Sequence, residues 1–402
     1  MTGRQAFPPS ITGKGALHEG SVLDHSFGKG DPYTLGVEEE YQLLDEESLD
    51  LVQHIETMLD AVSGHELEDR INPELMQSVI EITTPVCRTA GDVSRELLKL
   101  RRYVTEVAHS KGLRVGSAGT HPFSLFERQR ITANDRYRAL IDQMQYIARR
   151  ELIFGMHVHV AVDDPEKAIK VVNGLLPQLG PLLALSASSP FWRGEPTGLA
   201  SSRQMVFSAF PRSGPPPRFR DYADYAEVVG QLERSGCIAD YTSIWWDIRL
   251  HPRLGTVEIR ICDAVTRVED AVAIAAYCQA LVKHLSEQHD AGEEIPSYHR
   301  ILTTENKWLS ARYGLEAPVM DLESGRRNRI PVARLVRRTL ATIAPHAREL
   351  GCERELEGVR EILSRGSSAD RQLRIYNTNR DIVEVAREIA DATEALPAVV
   401  TS

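Results

Sequence analysis

The chain has 402 residues, 42% of them hydrophobic, enough to bury a sizeable core in one large domain or two ordinary ones. A formal charge of −10 argues against nucleic acid or anionic lipid as a main partner. Five cysteines without paired spacing point to a reduced cytoplasmic protein, no apolar run approaches a membrane span, and the N-terminus lacks a signal-peptide core.

Residues 1–30 mix Gly, Pro, Ser, Lys and His without periodicity and read as a flexible arm ahead of a single domain over 31–395. Strict alternation over Leu35–Leu44 predicts a strand with one buried face. Leu35, Val37, Glu39, Tyr41 and Leu43 share one side, while Gly36, Glu38, Glu40 and Gln42 share the other. Val79–Thr83 reads as a second strand with Glu81 as its lone acid. A helix follows over 92–111, capped by Asp92, striped with Leu97, Leu98, Val104 and Val107, and stopped by Gly112. Another runs over Asp135–Glu151 into the strand Ile153–Val162, which sets Gly155, His157 and His159 against Phe154, Met156, Val158 and Val160. Asp163-Asp164-Pro165 opens the next helix, with proline in its first turn. Ser186–Pro217, rich in Ser, Pro, Gly and Arg, reads as a long irregular loop and a candidate cover over a site. Helices over 220–235 and 267–289 bracket two more alternating strands, Ile244–His251 with Asp247 and Arg249, and Thr256–Cys262 with Glu258 and Arg260. From 305 to 395 the pattern is almost wholly helical. Strands first and helices last, without a repeat or a clean linker, give an α+β class.

Five half-polar strands carrying carboxylates, imidazoles and guanidiniums read as one sheet whose polar face is an active site. Each segment alone has an ordinary explanation. Glu38 and Glu40, about 7 Å apart along a strand, repel unless cations or protons lie between them, yet a solvated acidic edge strand would look the same. His157 and His159 at i, i+2 can reach one metal–phosphate centre, but H-x-H also occurs on plain surfaces and in zinc hydrolases. Glu258 beside Arg260 fits a structural ion pair, or a guanidinium fork for phosphate oxygens. Taken together, hard carboxylate oxygens with one imidazole suit Mg²⁺ or Mn²⁺ better than Zn²⁺. Neither G-x-x-x-x-G-K-[ST] nor a helix-opening G-x-G-x-x-G is present. A nucleotide would then be held through metals, which makes phosphoryl transfer the natural chemistry.

The motifs GVEEEY (36–41), IEITTPV (80–86), GMHVHV (155–160), SPFWRGEPTGLASSRQ (189–204), FPRSGPP (210–216), WWDIRLHPRLGTVEIRICD (245–263) and ENKWLSARYGL (305–315) resemble the bacterial carboxylate–amine ligase family. These are type 2 glutamate–cysteine ligase-like proteins within the glutamine synthetase-like superfamily. The motifs occur in order with sensible spacing, and one departure is Ala161, where relatives often carry Gly. The resemblance implies a curved antiparallel sheet forming a funnel, with helices packed outside, as a glutamine synthetase-like catalytic domain. It also implies an ATP-dependent ligase that makes an amide bond through an acyl phosphate, with glutamate and cysteine in the family's named reaction. Carried over by position, Glu38, Glu40, Glu81, His157 and Glu258 would ligate Mg²⁺ or Mn²⁺, and His159 would sit beside the phosphates of ATP. Arg260 would meet the transferred phosphoryl group, with Glu258 as its catalytic companion, and Arg203 and Arg249 would contact substrate carboxylate or phosphate. Implied partners are small molecules, not nucleic acid or membrane, in a homodimer. Two rival readings stay open: a zinc amidohydrolase built on His157 and His159, and a non-catalytic nucleotide-binding protein that keeps the site as a relic.

Overall fold

The computed structural model describes residues 24–397 apart from 297, 323 and 325–327. The alternating segments assemble into one seven-stranded antiparallel sheet. Its strands are β1 (Leu35–Asp45), β2 (Ile71–Pro73), β3 (Val79–Thr83), β4 (Leu113–Gly116), β5 (Met156–Ala161), β6 (Ile248–His251) and β7 (Thr256–Ile259). The order is β6-β7-β5-β1-β3-β2. β1 is the longest strand and is paired on both sides: Glu38 lies opposite both Thr83 of β3 and His157 of β5, and Gln42 opposite both Val79 and Gly116 of β4. β4 therefore continues the edge of β1 that β5 leaves.

The apolar face of this sheet makes the core. Leu35, Val37, Tyr41 and Leu43 of β1, with Met156, Val158 and Val160 of β5, are all essentially inaccessible to water. The helices between the strands are α1 (Ala90–Ser110), α2 (Asp135–Met144), α3 (Pro165–Leu175), α4 (Leu179–Ser186), α5 (Tyr222–Arg234) and α6 (Val268–Asp290), in chain order; all but α2 join this core, α5 through Tyr222, Tyr225, Ala226 and Val229. α6 is buried nearly all round because α1, α3 and the C-terminal helices pack against it. Those C-terminal helices are α7 (Arg300–Tyr313), α8 (Val332–Leu350), α9 (Glu353–Arg365), α10 (Ser368–Asn379) and α11 (Ile382–Glu394), matching the helical reading of that third. α+β is the observed class.

Several local expectations need correction. The cap of α1 is Thr89, not Asp92: Thr89 accepts the Asp92 N–H while the Asp92 carboxylate accepts the Thr89 N–H, a reciprocal capping box three residues apart. Glu39 sits on the core face, where burial of a lone carboxylate would be costly. Arg101 of α1 resolves this by donating Nε to Glu39 at 3.0 Å while Tyr41 OH donates to the same carboxylate. The stretch Pro165–Ser186 is long and apolar enough to cross a membrane, contrary to the sequence expectation, yet 83% of its apolar window is buried inside the fold as a core element. Ser186–Pro217 is not a loose cover over its first half: Ser186 to Ser189 and Ser201 to Gln204 are buried. There Ser188 N–H, Ser189 Oγ and Ser201 Oγ donate to Asp263 at 3.1, 2.7 and 2.9 Å, so the small polar residues form an internal joint. Residues 1–23 of the expected arm lie outside the described residues. Its last residues are docked, with Ser26 N–H donating to Pro252 O at 2.8 Å and Phe27 buried.

Candidate active site

The antiparallel register arranges the polar face in rows. Arg249 of β6 faces Glu258 of β7, which faces His159 of β5. One step along, His157 faces Glu38, and one step further Glu40 faces Glu81. These side chains, with Arg203 and Arg260, line a cavity of about 1330 Å³.

Their donor atoms fall into two groups, each drawn together within 4.8 Å. The first is Glu38, His159 and Glu258. Thr256 Oγ1 lies 3.0 Å from His159 Nδ1, and an Nδ1–H donating there leaves the Nε2 lone pair facing the acids. That Nε2 is buried without a hydrogen-bond partner, 3.4 Å from Glu38 Oε1 and 3.9 Å from Glu258 Oε1. Burial opposes charge on His159, but Glu258 and Glu38 outweigh it and raise the imidazole pKa. The position attracts positive charge. Burial would also raise Glu258, yet Arg249 and Arg260 hold it well below the carboxylate range. Arg249 grips it with Nε at 2.7 Å and Nη2 at 3.1 Å, and Arg260 Nη1 bonds its Oε1. Glu38, also opposed by burial, is held low by its hydrogen bond to His157 and by the neighbouring imidazole of His159. His157 itself is pushed down to about 4 by burial and by Arg260, so at neutral pH its Nδ1–H donates to Glu38 Oε2 at 3.0 Å.

The second group is Glu40, Glu74 and Glu81. Here burial wins. Glu40 rises to about 7 through burial and the charge of Glu74, and Glu81 rises well above its ordinary value through burial and the charges of Glu38, Glu74 and Glu40. Glu74 rises too, with burial as the main cause. Backbone groups supply only partial relief: Gly155 N–H donates to Glu40 Oε2 at 2.6 Å and Leu75 N–H to Glu74 Oε2 at 2.8 Å. Three crowded acids with raised proton affinity make a candidate cation site.

The model of glutamate-cysteine ligase family 2 matches residues 34–392. The chain belongs to this family. Among relatives, "Putative glutamate--cysteine ligase 2-1" of Rubrobacter xylanophilus is 44% identical over 361 residues, covering 90% of this chain and 95% of that protein. "Putative glutamate--cysteine ligase 2" of Sorangium cellulosum is 42% identical over 360 residues, 89% and 96% of the two chains. Among solved structures, glutamate–cysteine ligase of Francisella tularensis in complex with AMP shares the fold at a TM-score of 0.65 and 13% identity, over 92% of this chain and 91% of that one. A bifunctional glutathione synthetase from Pasteurella multocida gives 0.66 at 17% identity, over 90% of this chain and 53% of that one.

Within this family member the sequence-derived site residues are distributed as follows. Glu38, Glu40, Glu81, His157, His159, Arg203, Arg249, Glu258 and Arg260 all line the one cavity. They do not surround a single shared centre: Glu38 and Glu258 belong to one group, Glu40 and Glu81 to the other. His159, expected beside the phosphates, supplies the imidazole of the first group, and His157 touches it through Glu38. Arg249 is committed to Glu258 and to the carbonyls of Thr242 and Ile244, at 2.9 and 2.8 Å, so it orients the acid. Arg203 is buried in the floor of the cavity, donating Nη1 to Ile261 O at 3.3 Å. Asp247 leaves the polar row altogether, because the strand breaks between Trp246 and Ile248 and its carboxylate pairs with Lys307 at 2.7 Å. Two acids escaped the sequence reading. Glu74 lies in the β2–β3 turn, where no alternation flags it, and Glu151 follows the short helix after α2.

Proposed function

We propose that this protein is an ATP-dependent carboxylate–amine ligase of the glutamate–cysteine type, acting on small molecules through an acyl phosphate. The observation that carries the reading is the pair of acid clusters sharing one cavity with Arg260. Five carboxylates and one imidazole fit Mg²⁺ or Mn²⁺, one ion held by Glu38, His159 and Glu258, the other by Glu40, Glu74 and Glu81. Buried and unpartnered, His159 Nε2 fits the same assignment. Bound there, the ions would offset polyphosphate charge and polarise the transferred group. So few imidazoles make a poor zinc site, which weighs against the amidohydrolase.

In the first step a substrate carboxylate oxygen attacks the γ-phosphorus, the new P–O bond replaces the bond to ADP, and ADP departs. Arg260, whose Nε is buried without a partner, supplies a fixed donor to the equatorial oxygens, an interaction worth about 3 kcal/mol in comparable sites. In the second step the amine nitrogen attacks the acyl carbon, the C–N bond forms, and the C–O bond to phosphate breaks. The buried floor formed by Arg203 and Gly155 limits water, which would otherwise hydrolyse the acyl phosphate.

The test is ADP release with ATP, Mg²⁺, glutamate and cysteine, each omitted in turn. The expected result is ADP formation that needs both organic substrates, with Arg260→Ala lowering kcat about 100-fold and barely changing KM for ATP. ADP release indifferent to any carboxylate or amine would overturn the reading.

A further inference from the structure

Amide formation imposes a requirement the two clusters do not meet. An amine arrives in water largely as its ammonium, which has no lone pair to attack with. A proton acceptor must stand beside the acyl carbon, and it cannot be an acid already committed to cations. Besides the five clustered acids, three others line the cavity: Glu151, Glu233 and Asp240. Asp240 is occupied as a cap, accepting Thr242 N–H at 2.8 Å, and Glu233 accepts a backbone hydrogen bond from Tyr241. Of the cavity imidazoles, His157 donates to Glu38 and His251 is bonded to Tyr241 OH.

Glu151 is different. Its Oε1 is buried without a hydrogen-bond partner, an arrangement that is costly unless a ligand completes it. Its neighbour Arg150 turns away to bond Val206 O at 3.2 Å. Four residues on, Gly155 clamps Glu40, so Glu151 belongs to the segment that flanks the second cluster. Gly155 also has no room for a side chain, since a Cβ there would lie 2.5 Å from Arg203 Nη2, and this brings the Arg203 guanidinium against the same segment. The charges acting on Glu151 are Arg150, Arg203 and Glu40, and burial outweighs the two arginines to lift its carboxyl to about 8. A carboxyl lifted toward the proton affinity of an amine exchanges a proton with an ammonium at less cost than an ordinary carboxylate does, once the ammonium's charge has drawn it into the ionised form.

Resting on the ligase reading above, we infer that Glu151 receives the amine substrate: its carboxylate pairs with the incoming ammonium and takes one proton. The nitrogen lone pair so released forms the C–N bond as the C–O bond to phosphate breaks, and the departing phosphate takes the second N–H proton. The proton stays on Glu151 until product leaves. This predicts a second substrate that is cationic at neutral pH, an amino acid or other primary amine rather than a neutral nucleophile.

Hydroxylamine separates the two half-reactions, because it is uncharged at neutral pH and traps an acyl phosphate as a hydroxamate without needing a base. With ATP, Mg²⁺ and glutamate, Glu151→Gln should form hydroxamate at close to the wild-type rate but ligate cysteine about 100-fold more slowly. Glu151→Asp, which keeps the acid, should recover part of the cysteine reaction and guards against a folding defect in the amide variant. Cysteine ligation by Glu151→Gln at the wild-type rate overturns the inference, and so does equal loss of both products. Failure of the wild-type enzyme to make any hydroxamate overturns the ligase reading itself.

Discussion

The two acid clusters occupy neighbouring rows of one sheet, yet their charge is balanced in opposite ways. In the first, Glu258 lies between two guanidiniums and Glu38 between two imidazoles, and both acids stay ionised far below neutral pH. In the second, Glu40, Glu74 and Glu81 face one another, and their proton affinities rise. Burial is common to both, so the difference comes from neighbours alone. The first cluster is neutralised by the protein and is preorganised before any ligand arrives. The second is less compensated by its neighbours, and in the proposed ligase it would rely more heavily on bound cations. One half of the site is thus part of the fold's own stability, and the other is a debt that a ligand must settle.

The largest expected effect breaks this contrast directly. Glu258→Gln removes the shared counter-charge of the buried Arg249 and the half-buried Arg260. Stripping one member from such a network costs about 3–5 kcal/mol, because the remaining charges lie uncompensated. Thermal unfolding without metal should show that loss, and turnover should fall about a thousandfold. Glu81→Gln should lose turnover as severely while unfolding no earlier than wild type, since it relieves repulsion. Equal destabilisation by the two substitutions would show that the clusters are not electrostatic opposites.

A smaller effect concerns pH. The carboxyl of Glu40 stands at about 7 in the folded chain, above its ordinary value near 4.3 when unfolded. The folded state therefore binds this proton more tightly, so its contribution to metal-free stability is present at acid pH and is lost as pH rises through about 7. Mg²⁺ must displace the same proton. Its apparent affinity should tighten up to about tenfold per pH unit for each proton released, between roughly pH 6 and 8. Glu38 and Glu258, ionised throughout, add nothing across this window, whereas His159, whose proton affinity is also raised, adds to it in the same direction. Unfolding temperatures with and without Mg²⁺ at several pH values measure the effect, and protection that is flat with pH would contradict it.

Much of this arrangement was legible in the sequence. Period-two alternation located β1, β3, β5, β6 and β7, and it set Glu38, Glu40, Glu81, His157, His159, Glu258 and Arg260 on one face. Alternation reports faces, not partners. That Glu40 meets Glu81 while Glu38 meets His157 depends on register between strands far apart in the chain. Glu74 was invisible because a turn has no period, and Asp247 was misplaced because a strand break shifts the phase. The serine-rich segment looked like a lid because small polar residues are typical of loops. Only the fold reveals Asp263 as the buried acceptor they serve. Glu39 carried the same warning in reverse: an acid on a core face demands a cation, but nothing local names Arg101.

Which imidazole serves the first cluster is also a matter of distant partners, and it sets the subtlest prediction. His157 and His159 are equivalent by alternation, and Thr256 on the adjacent strand distinguishes them by occupying His159 Nδ1. Thr256→Val keeps the shape of a buried side chain and removes that hydroxyl. The ring then loses the contact that fixes its tautomer, and Nδ1 is left without a partner. Loss of such a supporting hydrogen bond typically weakens metal affinity 10–100-fold, and about tenfold is expected here because Glu38 and Glu258 remain in place. Turnover at saturating Mg²⁺ should stay near wild type, and Thr256→Ser should restore the affinity. Because Glu40, Glu74 and Glu81 are untouched, their share of the pH dependence of Mg²⁺ protection should persist while protection shifts to higher concentration. An unchanged Mg²⁺ requirement in Thr256→Val would mean that His159 Nε2 does not belong to the cation site, and would return that role to His157.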